Sequence, residues 1–113
     1  MKTIKIGLTG LSALDKVAKA LFIESKLTGN IAFPGAAALL VLLLAARLKL
    51  ENAIAATLDG GKAATFAKNE AEAELDEIIT QIAGYVVSVA GHDEALIHSA
   101  GFDVRKPPSP IGD

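Results

Sequence analysis

The chain has 113 residues, enough for one domain with one hydrophobic core. Half of it is apolar, with abundant Ala and Leu but only four Phe, one Tyr and no Trp, a bias that favours helix over sheet. The net charge is −2 with acids and bases interspersed, which argues against the basic face a nucleic-acid binder needs. There is no cysteine, so disulfides, cysteine-based zinc sites and thiol nucleophiles are excluded as well.

MKTIKIGLTG lacks the continuous apolar stretch of a signal peptide, which predicts a cytoplasmic protein. Thr3–Thr9 alternates apolar and polar residues. A lone strand has no ladder partner, so the reading here is an extended arm laid across helices. Helix 1 begins at Ser12, whose hydroxyl can cap, with Asp15 three residues on. Its predicted core stripe is Leu14, Val17, Ala18, Leu21 and Ser25, with Phe22 at the edge. It stops near Thr28, before Gly29 and Asn30.

Helix 2 is predicted from about Gly35 to Leu58. It opens on Ala36–Ala46, eleven apolar residues in a row. At ~1.5 Å per residue they rise roughly 17 Å, short of the about 30 Å of a bilayer's hydrocarbon core. Pro34 and Gly35 precede the run and Arg47, Lys49 and Glu51 follow it, so no membrane role is expected. Two stripes run along this helix. Leu39, Leu43, Ala46, Leu50, Ala53, Ile54 and Thr57 suit packing on helices 1 and 3. Ala37, Val41, Leu44 and Leu48 form a second line on another face.

Asp59-Gly60-Gly61 turns the chain back into helix 3, Lys62 to Ala90. The expected core stripe is Ala64, Ala67, Ala71, Leu75, Ile78, Ile82, Tyr85 and Val89, widened by Ile79, Ala83 and Val86. Gly91 ends it and His92 belongs to the turn. Asp93–Ala100 reads as a short fourth helix closed by Gly101, after which Phe102 and Val104 fold back on the helices. Residues 107–113, with Pro107, Pro108 and Pro110, form an extended tail, leaving 1–106 as the domain. The predicted fold is all-α: an antiparallel three-helix bundle with a short fourth helix and extended termini.

Candidate chemistry is sparse. Glu70, Glu72, Glu74, Asp76 and Glu77 crowd one stretch, but a di-iron bundle needs inward carboxylates with Glu-x-x-His pairs, and none exists. The stretch reads as a solvated face near Lys68. Glu94 and His98 sit at i, i+4 and make at most half of a weak metal site, completed by another subunit. Gly7-Leu-Thr-Gly10 is too short for a phosphate loop, and Ser88 and Ser99 have no base at a suggestive spacing. No catalytic residue and no cofactor is expected.

The second stripe of helix 2 carries the main functional expectation. Either the first helix, the N-terminal arm or the tail covers it within one chain, or a protein interface does. A three-helix domain leaves each helix one outward face, which favours the interface: helix 2 on helix 2 of a second copy through Ala37, Leu40, Val41, Leu44 and Leu48, with Leu42 at the edge. The alternatives are an adaptor whose apolar groove takes an amphipathic helix of another protein, and a metal-binding bundle using Glu94, His98 and the Glu70–Glu77 carboxylates.

Tyr85-Val86 ahead of Gly91, Asp93-Glu94-Ala95, and Ser99-Ala-Gly-Phe-Asp-Val-Arg105 give the C-terminal third a distinct pattern, joined by Ile4–Leu11 and Leu27-Thr-Gly-Asn30. The chain resembles a small uncharacterised helical domain of environmental bacteria found beside fibronectin type III-like modules. That resemblance implies a helical bundle and carries over no catalytic residue. Two places depart from it: the Ala, Leu and Val surface of Pro34–Leu48, where a more polar face is usual, and His98, where an apolar residue is usual. One explanation of the departure is redesign, an engineered surface made to self-associate; the other is a natural surface of this kind.

Overall fold

The computed structural model describes residues 3–8, 10–58, 60–91 and 93–105, the side chains of 3–5 and 105 excepted. The expected His92 turn and the tail 107–113 lie outside them. Four helices dominate: α1 (Ala13–Leu27), α2 (Ala36–Ala56), α3 (Lys62–Ala90) and α4 (Glu94–Ser99). Two three-residue strands complete the order, β1 (Thr3–Lys5) before α1 and β2 (Asp103–Arg105) after α4.

Local chemistry sets the helix ends. The Ser12 hydroxyl accepts from the Asp15 N–H at 3.2 Å, and an Asp93 carboxylate oxygen does the same for Leu96 at 3.2 Å. At the start of α2, Gly35 donates its N–H to the Tyr85 hydroxyl of α3 at 2.8 Å. A Cβ on Gly35 would stand 2.9 Å from that oxygen, so any larger residue would push the Tyr85 ring aside. Gly101 (φ +92°) lies in the left-handed region and brings the chain against Ile23 of α1.

The arm expected to lie alone has a ladder partner. β1 pairs antiparallel with β2 in the register Thr3↔Arg105, Ile4↔Val104, Lys5↔Asp103. The partner comes from the far end of the chain, so no local pattern announces it. Asn30 ties the α1–α2 connection to α4: its side-chain amide donates to the Lys26 and Ser99 carbonyls at 3.2 and 3.1 Å, and its oxygen accepts from the Ala32 N–H. Phe102 is buried and Val104 packs against the core, as expected.

α2 packs on both α1 and α3, α1 also meets α3, and α4 meets α3. The core combines Ala20, Ile23 and Leu27 with Leu43 and Leu50, with Leu75, Ile79, Ile82 and Val86, and with Phe33, Ile97 and Phe102. The first stripe of helix 2 faces this core as expected. The other two predicted stripes are turned. In α1 the buried positions are Lys16, Val17, Ala20, Ile23 and Leu27, whereas Leu14, Ala18, Leu21 and Ser25 face outward. The inward face contains a lysine, which hydropathy alone rejects. In α3 the buried line runs through Ala71, Leu75, Ile79, Ile82, Ala83, Val86 and Ala90, while Ala67 and Val89 are exposed. α3 has α2 on one side and α1 and α4 on the other, so its buried face centres between them. Ile78 and Tyr85 become its α2-side margin.

Truncating the buried line must therefore cost far more than truncating the expected one. Ile79→Ala is expected to lower unfolding stability by about 2–5 kcal/mol, and Val89→Ala by less than about 1 kcal/mol. Urea denaturation followed by circular dichroism reads both.

Candidate functional site: the outer face of α2

The molecule measures 52 × 37 × 16 Å. With helix axes ~8–10 Å apart, the thin direction holds two helices in depth and no more. α1 and α3 therefore cover one side of α2 and leave the other bare. Val41 is 68 % exposed, and Leu42, Leu44 and Leu48 are 42–48 % exposed. Ala37 is exposed as well, but Leu40 is half-buried against the core and contributes little to the outer face. Nothing in the described chain lies over Val41. α2 has no acidic residue in its first turn, and the charges on this helix begin only at Arg47.

Beside this face, Leu42, Ala45, Ala46 and Ile78 floor a groove of about 340 Å³ between α2 and α3. Its rim holds Glu77, Gln81 and the Lys49–Glu74 pair, in which the ammonium meets both carboxylate oxygens at 2.9 and 3.0 Å.

The charged groups are largely used to join helices. Lys16 is buried between two acids of α3, donating to Asp76 at 2.9 Å and lying 3.1 Å from Glu72. Arg47 of α2 donates from Nε to Glu24 of α1 and from Nη1 to Glu51 one turn along. The acidic stretch is thus more than a solvated face: Glu72 and Asp76 hold α1, Glu74 holds α2, and Glu70 and Glu77 stay exposed. The i, i+4 spacing of Arg47 and Glu51 is visible in the sequence, but no sequence signal points to the contacts with Glu24, Glu72 or Asp76.

His98 stands between two acids, Nε2 at 3.5 Å from Glu94 and Nδ1 at 3.6 Å from Asp103. Both contacts are long and open to solvent. Among the described residues no group of three or more His, Cys, Asp or Glu side chains is arranged to hold a metal. The Ser88 hydroxyl donates to the Tyr85 carbonyl and the Ser99 hydroxyl to the Leu96 carbonyl, so each is engaged with its own helix. No helix among the described residues is long and apolar enough to cross a membrane. What the α2 surface offers is apolar area. Comparison with protein-family models, curated proteins and solved structures finds no match.

Burial opposes the Lys16 ammonium, but hydrogen bonds and charge from Asp76 and Glu72 outweigh it, raising its pKa above the ordinary 10.5. A folded value above the unfolded one stabilises the fold at neutral pH, and that contribution fades as pH climbs beyond 10.5. Removing the lysine also strands Asp76, one of whose carboxylate oxygens is buried without a hydrogen bond. Lys16→Met is expected to cost about 1–3 kcal/mol at pH 8, and its deficit relative to the parent should narrow in strongly alkaline buffer. Urea titrations at both pH values measure it.

Proposed function

We propose that this chain is a non-enzymatic self-association module, in which the three long helices run antiparallel as a bundle and a second copy covers the outer face of α2. The observation that carries the reading is the uncovered line of Val41, Leu44 and Leu48 on a helix that is apolar on both sides. With Leu42, these side chains leave roughly 400 Å² of apolar surface in water, worth about 10 kcal/mol per copy at ~25 cal/mol per Å². Association costs of about 4–15 kcal/mol leave a surplus when two copies contribute. An apolar patch of about this size is the largest that an ordinary monomer shows and is often functional, and pairing of identical copies is the commonest assembly.

The α2–α3 groove supports a second reading. Its apolar floor and charged rim suit an amphipathic helix of another protein laid in the groove. That reading requires a monomeric chain with the groove free.

Sedimentation velocity at micromolar concentration separates the two. The expected result is a particle of twice 11.6 kDa. Leu44→Glu should give a monomer with unchanged helical circular dichroism, because Leu44 lies outside the core. A parent chain of single mass would favour the groove, and a Leu44→Glu protein of double mass would move the interface off this face.

A further inference from the structure

The turned α1 leaves a second apolar face in water. Leu14 is 66 %, Leu21 46 % and Phe22 51 % exposed, and Ala18 is exposed between them. Their spacing of four, three and one residues puts all four on one side of the helix. Asp15 and Lys26 flank that side next to Phe22 without separating its apolar members. Lys26, at its margin, stands over the Phe22 ring with its ammonium 5.3 Å from the centroid. Ile31, Leu58 and Phe66 are also exposed, but singly and without such spacing, as on any protein surface.

We infer that this α1 face is the counter-surface for α2 in the self-association proposed above, with α2 of each copy packed on α1 of the other. The inference rests on that reading and names what α2 meets. Three observations favour the exchange. The first is area. The α2 face, at roughly 400 Å², is about half of the ~800 Å² per partner that a standard interface buries. Leu14, Leu21 and Phe22 supply most of the remainder. A contact of α2 on α2 alone would leave all three in water.

The second is symmetry. A two-fold axis that places one copy's α2 on the other's α1 repeats the same contact in reverse, so both faces of both copies are covered at once. The third is charge. The seam between α1 and α2 is bridged by Glu24, Arg47 and Glu51, which satisfy one another within one chain. Covering that seam therefore strands no charge.

The test uses two single variants and their mixture, each first checked for helical circular dichroism. Leu44→Glu and Leu21→Lys are each expected to raise the dimer Kd by about 100-fold, sedimenting as monomers at micromolar concentration. Mixed one to one, they should recover a heterodimer. One of its two contacts is then wholly native and the other sets the introduced acid against the introduced base. Leu14→Lys, at a still more exposed position, replaces Leu21→Lys if the latter fails to fold. A dimeric Leu21→Lys protein with a monomeric Leu44→Glu protein would overturn the inference and leave the α2 reading standing. Two monomeric variants that stay monomeric when mixed would overturn the exchange of α2 onto α1. A dimeric Leu44→Glu protein would overturn the α2 reading itself.

Discussion

How α1 is rotated about its own axis decides which surfaces this molecule shows, and a buried ammonium is satisfied in only one of its rotations. Lys16 reaches α3 between Glu72 and Asp76. At 100° per residue, pointing position 16 inward carries Ala20, Ile23 and Leu27 into the core and turns Leu14, Ala18 and Leu21 out. The apolar content of α1 would support either rotation. An ion pair that is buried adds little net stability over an apolar pair of the same volume. It does discriminate, since the opposite rotation would strand Glu72 and Asp76 and expose Ile23 and Leu27.

α2 shows the complementary case. It carries no such discriminating charge in its first eleven residues, and its outer line is as apolar as its inner one. What orients it is attached elsewhere. Gly35 is hydrogen-bonded to Tyr85, whose ring meets Phe33 edge-on with centroids 6.0 Å apart. Arg47 is held by Glu24. Polar contacts near its start and at its middle therefore aim a helix whose hydropathy has no preferred side.

The sequence was most legible where the controlling interaction is local. Ser12, Asp93, Gly91 and Gly101 act within a few residues, and the helix bounds they imply agree with the structure to within a residue or two. The inner stripe of α2 was legible because it continues beyond the apolar run through Leu50, Ala53 and Ile54, whereas the outer line ends at Leu48. The faces of α1 and α3 were not. They depend on which helix lies next to which, and on a lysine that only α3 makes acceptable in a core. The strand pair was hidden for the same reason, since Ile4 and Val104 are neighbours only in space. Of the candidate surface, the bare line of Val41, Leu44 and Leu48 was readable from apolar content alone. The comparable line on α1 was hidden because Leu14, Ala18 and Leu21 have the spacing of a core face.

Joining residues 3–5 to 103–105 closes a loop of nearly the whole chain. The entropy lost in closing a loop grows with the logarithm of its length, and contacts so distant in sequence form slowly. Short-range helix contacts can assemble well before the two ends find each other. Three paired residues on each side also make a small ladder, so it belongs to the low-stability end of the molecule's local openings. In hydrogen exchange, amides of this terminal ladder would lose protection while those around Leu50 and Leu75 keep theirs, making the strand pair the last part of the fold to close and the first to open.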